Sequence, residues 1–122
     1  MATSENTKTY QGGCHCGKVR FEAKADLSSV MECNCSICSK VGAMMSFVPA
    51  DSFTLESGKD ALTDYQFNKM KIHHVFCSTC GIHAHAFGSG PDGKPMYMLN
   101  ARCIDGFEPQ GVTVKHHDGR SM

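Results

Sequence analysis

Lys18-Val19-Arg20-Phe21-Glu22-Ala23-Lys24 alternates polar and apolar side chains without a break. A period of two places Val19, Phe21 and Ala23 on one face of a half-buried strand. Outward from this stretch, further strand-length runs lie at 44–48, 52–56, 64–67, 72–76, 82–87, 95–99 and 112–116, each bounded by Gly, Pro, Asp, Asn or Ser. No window of a dozen residues sustains an apolar period of 3.6, and 12 Gly with 4 Pro would interrupt one, so a helical turn at 36–40 is all the helix expected. The sequence therefore predicts an all-β domain. Gly88-Ser89-Gly90-Pro91-Asp92-Gly93 reads as a mobile hairpin connection, and no internal repeat is present.

A chain of 122 residues can enclose one core and hardly two. The expected organisation is a flexible tail at 1–9 and a single domain at 10–122. Its 12 Lys+Arg balance 12 Asp+Glu, so no long-range field is available to hold nucleic acid or an anionic membrane. Partners are expected to be small molecules recognised locally. No apolar run approaches the roughly 20 residues needed to cross a bilayer. The first residues, Met1-Ala2-Thr3-Ser4-Glu5-Asn6-Thr7-Lys8, lack the apolar segment of a secretory leader, which makes the cytoplasm the expected compartment. There, clustered cysteines serve metals or thiol chemistry.

Seven of the 8 cysteines form three clusters: Cys14-His15-Cys16-Gly17, Cys33-Asn34-Cys35-Ser36-Ile37-Cys38 and Cys77-Ser78-Thr79-Cys80-Gly81. Two thiolates at close spacing can point at one tetrahedral ion, and a glycine after the second frees the backbone to complete the knuckle. One knuckle supplies two ligands, whereas a closed structural zinc site needs four. Pairing the first and third clusters would close a long loop and substitute for core that a small domain lacks. Cys33, Cys35 and Cys38 remain. Three protein ligands leave an exchangeable position, the usual arrangement of catalytic zinc, so four plus three suggests two zinc ions per chain, one structural and one catalytic. Three thiolates on Zn²⁺ leave a net negative site, poor at making hydroxide but suited to an external thiolate. On the residues alone, disulfides or a redox pair remain the alternative for the four. A closed second structural zinc, or an oxidisable thiol cluster, remains the alternative for the three. Cys103 is either a completing ligand or a small buried residue and is left unassigned.

Gly12-Gly13-Cys14-His15-Cys16-Gly17, Cys33-x-Cys35-x-x-Cys38, Phe76-Cys77-x-x-Cys80-Gly81 and Asn100-Ala101-Arg102-Cys103-Ile104-Asp105-Gly106, in this order, resemble the glutathione-dependent formaldehyde-activating enzyme family. Its domain also occurs in centromere protein V, and the resemblance spans residues 10–108. It implies a β-tent of small antiparallel sheets joined at a structural four-cysteine zinc site, held by Cys14, Cys16, Cys77 and Cys80. It also implies a second, catalytic zinc on Cys33, Cys35 and Cys38. The family's named activity joins formaldehyde to glutathione, giving S-(hydroxymethyl)glutathione, and is a carbon-sulfur lyase activity in reverse. The expected function is thus a zinc-dependent carbon-sulfur lyase/synthase acting on a glutathione-like thiol and a small aldehyde. The rival from another class is a non-catalytic zinc-binding module for a protein partner or thiol ligand, with both metals structural. A methionine sulfoxide reductase B-like enzyme would need a reactive unligated thiol, for which only Cys103 is free.

Other candidates are weaker. If residues 82–87 form a strand, His83 and His85 share a face beside the third cluster and could touch zinc or substrate. His73 and His74 would point to opposite faces, as would His116 and His117, so at most one of each pair could serve a common site. His15 competes with two better-placed thiolates. Lys40, Lys69 and Lys71 could meet the carboxylates of a glutathione-sized substrate, and Met44, Met45, Met96 and Met98 could line an apolar pocket. Asn100 could hydrogen-bond near the second metal or cap a turn.

Overall fold

A computed structural model describes residues 7–66, 72–90 and 92–118. The chain forms strands β1 (Lys8–Gly13), β2 (Arg20–Ala25), β3 (Ser29–Cys33), β4 (Met45–Pro49), β5 (Phe53–Ser57), β6 (Leu62–Tyr65), β7 (Ile72–Cys77), β8 (His85–Ser89), β9 (Pro95–Asn100) and β10 (Thr113–His117). A four-residue helix, α1 (Cys38–Val41), interrupts them after β3. The fold is all-β, as the alternation predicts.

Two sheets make the structure. The smaller has the order β1-β2-β5 and is antiparallel throughout. The larger has the order β10-β3-β4-β9-β8-β7-β6, antiparallel except for the parallel pair β3–β10. Val19, Phe21 and Ala23 form the inward face that the alternation predicts, each at most 1% exposed. Phe21 stacks on Phe53 with ring centres 5.4 Å apart, and Phe53 stacks on Tyr97 of the larger sheet at 4.1 Å. This aromatic column joins the sheets, at roughly 1.5–3 kcal/mol per large apolar side chain removed from water.

β1 departs from the expectation. The expected tail ends at Thr9, yet Lys8 pairs with Ala25 and Thr9 with Lys24, so two residues assigned to the tail belong to the sheet. The glycines explain why it packs closely. A Cβ on Gly12 would lie 2.5 Å from the Cys103 carbonyl oxygen and 2.8 Å from the Phe21 ring. Only a bare backbone can approach so near. β3 is likewise an addition to the predicted strands.

β8 begins at His85, three residues later than expected, and β6 runs Leu62–Tyr65 instead of starting at residue 64. The helical turn starts at Cys38 instead of Ser36. In the hairpin after β8, the Gly90 amide donates to the Lys94 carbonyl at 2.8 Å and the Gly93 amide to the Gly90 carbonyl at 2.9 Å. Phe67, Lys69, Lys71, Pro91 and residues 1–6 lie outside the described residues. No described helix is long and apolar enough to cross a membrane.

Candidate metal centres and the adjoining cavity

β1 delivers Cys14 to the edge of the smaller sheet, and β7 ends on Cys77 in the larger. Each cysteine opens a tight turn. The Cys14 amide donates to the Val19 carbonyl at 3.0 Å and the Gly17 amide to the Cys14 carbonyl at 3.3 Å. On the other side, the Cys77 amide donates to the Ile82 carbonyl at 3.1 Å and the Gly81 amide to the Cys77 carbonyl at 2.7 Å. Gly17 and Gly81 sit at φ of 85° and 78°, the left-handed region that glycine enters without steric penalty, which is why each knuckle ends on that residue.

The four sulfurs of Cys14, Cys16, Cys77 and Cys80 all lie within 4.8 Å of one another. Cys16 Sγ is 3.6 Å from both Cys14 Sγ and Cys77 Sγ. A disulfide needs about 2.05 Å, whereas thiolates about 2.3 Å from a tetrahedral zinc stand about 3.8 Å apart. The spacing fits an ion and not a bond, and all four cysteines are free. Backbone amides face the sulfurs: Val19 N–H donates to Cys14 Sγ at 3.3 Å. The Cys16 amide draws Cys80 down to about 6 against the cost of desolvation, and the Cys80 amide lowers Cys77 likewise. Cys16 is pushed up to about 11, because desolvation and three neighbouring sulfurs outweigh a hydrogen bond from the Lys18 amide. Sulfurs that compete for protons and are ringed by amide donors suit a thiophilic divalent cation such as zinc.

The second cluster hangs between β3 and α1. Cys33 ends β3, where its neighbour on β10 is His117. The Asn34 amide donates to the His117 carbonyl at 3.2 Å, and Asn34 Nδ2 donates to Asp118 at 2.9 Å. The chain then curls so that the Cys35 amide faces Cys33 Sγ at 3.4 Å and the Cys38 amide faces Cys35 Sγ at 3.5 Å. All three sulfurs lie within 4.8 Å of one another, and among the described residues no further Cys, His, Asp or Glu joins them at that spacing. Cys35 is lowered: burial opposes this, but the Cys38 amide and the neighbouring thiols outweigh it. Cys38 is pushed up by burial and by the adjacent Cys35 and Cys33. The three are half-buried, so a molecule from solution can reach them.

Cys38 also lines a cavity of about 40 Å³ between α1 and the larger sheet. Ile37, Val41, Met45 and Met98 form much of its wall, with His74, His83, His85 and Asn100 as polar members. Met45 and Met98 thus take the pocket role considered for the methionines; Met44 is in the core at 8% exposed, and Met96 does not line the cavity. A groove of about 760 Å³ elsewhere, with Lys18, Glu56, Lys59 and Asp60 on its walls, shares no residue with either cysteine cluster.

The expectation that His83 and His85 share a strand face does not hold, because His83 precedes β8. His83 packs its ring on Phe76 at 5.1 Å, while His85 lies within 4.9 Å of Phe53 and 6.0 Å of Tyr97, between ring centres. Both nevertheless line the cavity, together with His74. His74 and His73 do point apart: His73 Nδ1 pairs with Asp64 at 2.6 Å and its ring stacks on Phe87. Burial lowers both His74 and His83, and the neighbouring His83 lowers His74 further. His15, His116, His117 and Lys40 are exposed and line no described cavity. Asn100 caps the turn after β9, accepting from the Arg102 amide at 3.2 Å and donating to the His83 carbonyl at 2.9 Å. Cys103 does not complete the trio; burial pushes its thiol up to about 11, and it points at the His83 carbonyl from 3.8 Å.

His85 has a separate consequence. It is 4% exposed, and among the described residues its Nδ1 has no hydrogen-bond partner. Burial pushes its pKa down to about 4 from the ordinary 6.5. A folded value below the unfolded one means that the neutral ring's stability is complete above about pH 6.5 and is lost as pH falls towards 4. The whole difference is about 3 kcal/mol. His85→Phe should therefore flatten the pH dependence of the urea midpoint across that window. An equally steep loss in the variant would assign the acid sensitivity to other groups.

Residues 9–117 match the family model described as glutathione-dependent formaldehyde-activating enzyme. The chain belongs to this family. The crystal structure of a Rhodobacter sphaeroides protein superposes with a TM-score of 0.76 at 29% sequence identity, covering 86% of this chain and 98% of that one. Membership of the formaldehyde-activating family supports a function related to glutathione and formaldehyde. It also covers all three cysteine clusters and the strands that carry them.

Proposed function

We propose that the chain is a carbon-sulfur lyase/synthase that joins a glutathione-like thiol to formaldehyde or a comparably small aldehyde and also cleaves the S-(hydroxymethyl) adduct. Cys14, Cys16, Cys77 and Cys80 hold a structural zinc; Cys33, Cys35 and Cys38 hold a second, in the reducing cytoplasm where both sets stay as thiolates. When bound at the trio, zinc supplies a soft electrophilic position that favours the thiolate form of a substrate sulfur.

The chain's own residues do the rest. The amides of Cys35 and Cys38 fix the sulfurs to which they donate, so the trio is set before a substrate arrives. Its half-buried placement leaves one side open to a peptide-sized thiol. Ile37, Val41, Met45 and Met98 give the adjoining cavity of about 40 Å³ apolar walls. A cavity this small favours a small aldehyde over a bulky one. A small apolar enclosure also favours the free carbonyl over its hydrate and holds carbon beside sulfur, an effect of proximity and orientation. In the forward direction the sulfur lone pair forms the C–S bond, the C=O π pair moves to oxygen, and the proton given up by the thiol ends on that oxygen.

The observation that carries this reading is the juxtaposition of an open three-sulfur set with a small cavity that Cys38 itself lines. A closed second structural site would need a fourth ligand at the same spacing, and the described residues offer none. The test is magnetisation exchange between ¹³C-formaldehyde and S-(hydroxymethyl)glutathione in the presence of zinc-loaded protein. Exchange should run at least tenfold faster than in buffer and should fall sharply from formaldehyde to propanal. A rate equal to buffer would sink the proposal.

A further inference from the structure

The cavity beside Cys38 encloses polar side chains that the scheme above leaves without a task. We propose that His83 is a catalytic residue of this site: it takes the proton from the substrate thiol and hands it to the aldehyde oxygen as the C–S bond forms. The inference rests on the proposed carbon-sulfur chemistry and deepens it.

The argument begins with the oxygen. An aldehyde carbonyl that leaves water for a cavity walled by Ile37, Val41, Met45 and Met98 loses its hydrogen bonds, and negative charge then grows on that oxygen as sulfur adds. A donor must stand in the cavity. Asn100 donates to the His83 carbonyl at 2.9 Å and accepts from the Arg102 amide at 3.2 Å; its second Nδ2 hydrogen can steady an oxygen, but an amide cannot take up and pass on a thiol proton. His85 also lines the cavity, but it is 4% exposed and packed among Phe21, Phe53, Phe87 and Tyr97, so it offers no open edge to an entering molecule. His83 and His74 remain.

His83 is the better placed of the two. Its backbone carbonyl is gripped by Asn100 Nδ2, with Cys103 Sγ behind it at 3.8 Å. Its ring rests on Phe76, centre to centre 5.1 Å and tilted by 37°. Main chain and ring are thus both held, as a preorganised proton carrier requires. It is half-buried, so one edge remains open to an entering molecule. Burial keeps it neutral at rest, the form that can accept a proton.

The step balances without another reactant. The thiol proton moves to an imidazole nitrogen, leaving a thiolate. The thiolate lone pair makes the C–S bond, the C=O π pair moves to oxygen, and the imidazolium proton follows it. Thiol and aldehyde become the hydroxymethyl adduct, and His83 returns to its neutral form. Cleavage runs the same transfers in reverse.

The test uses the zinc-loaded full chain. His83→Phe keeps a ring against Phe76 but removes both nitrogens; His83→Ala opens room for added imidazole. Both should lower kcat/KM for adduct formation about 10²-fold, the low end of general acid-base effects. Glutathione binding by calorimetry, zinc per chain and the near-ultraviolet circular dichroism should stay as in the parent. Millimolar imidazole should restore His83→Ala at least tenfold and leave His83→Phe unchanged. His73→Phe, outside the cavity, should keep parental kinetics. The proposal is overturned if His83→Phe stays within threefold of the parent, if imidazole rescues nothing, or if both variants lose zinc, glutathione binding or fold along with rate. Each of those results leaves the carbon-sulfur reading standing, whereas a parent protein that does not accelerate the reaction removes both.

Discussion

Cys77→Ala is expected to abolish the cooperative thermal transition and to remove one zinc ion per chain, the largest loss of stability that any single substitution in this molecule should produce. Cys77 has no exposed surface. It ends β7 opposite Leu62 of β6, and its sulfur sits 3.6 Å from Cys16, which follows the first strand of the other sheet. The core around it is small: Cys14, Val19 and Cys77 are its buried members, with Leu55, Ala61, Leu62 and Cys80 packed on them. Two of the three buried side chains are therefore sulfur ligands. A structural zinc site contributes on the order of 10 kcal/mol, comparable with the whole stability of about 5–15 kcal/mol of an ordinary domain. Near-ultraviolet circular dichroism against temperature, with zinc measured on the same samples, checks this. A variant that melts within a few degrees of the parent would show that the Phe21–Phe53–Tyr97 column suffices to join the sheets.

Cys35→Ala should do the opposite, keeping the fold and losing the chemistry. Cys35 lies in the turn between β3 and α1 and belongs to neither core cluster. The Ser39 amide donates to its backbone carbonyl at 3.0 Å, and that bond survives the substitution. What disappears is the sulfur to which the Cys38 amide donates, and with it one of three ligands. The expected result is a melting temperature within a few degrees of the parent, retention of the structural zinc, and formaldehyde–glutathione exchange reduced at least 10²-fold. If both metals were structural, the same substitution would cost stability and leave no activity to lose. Comparing Cys35→Ala with Cys77→Ala on one set of axes, melting temperature against exchange rate, separates the two readings. A second site that stabilises as much as the first would refute the assignment of the trio to catalysis.

Much of this architecture was legible because it depends on local patterns. The alternation around Phe21 needs only its own side chains to mark a buried face, and the glycines after Cys16 and Cys80 announce knuckles. The order of the clusters was enough to separate four sulfurs from three. Features made by distant packing were not legible. Lys8 and Thr9 read as tail and belong to a strand because, further along it, Gly12 and Gly13 let β2 and the Cys103 turn come close. The cavity was half visible: His83 and His85 drew attention and both line it, but not from one strand face, and His74 joins them. The start of β8 decides that, since alternation begins only at His85. A short strand offset of this kind follows from sheet register, which single-strand periodicity does not fix.

The parallel pairing of β3 with β10 has a consequence for the order of events during synthesis. Asn34, inside the three-cysteine turn, is fastened to Asp118, which lies 84 residues further along the chain. When Cys33, Cys35 and Cys38 leave the ribosome, the strand that anchors their turn does not yet exist. The knuckle at Cys77 and Cys80 is translated before that anchor, so the joint between the sheets can close while the reactive turn still hangs loose. For that interval the nascent chain presents three sulfurs on an unanchored turn, and translation of β10 supplies the anchor.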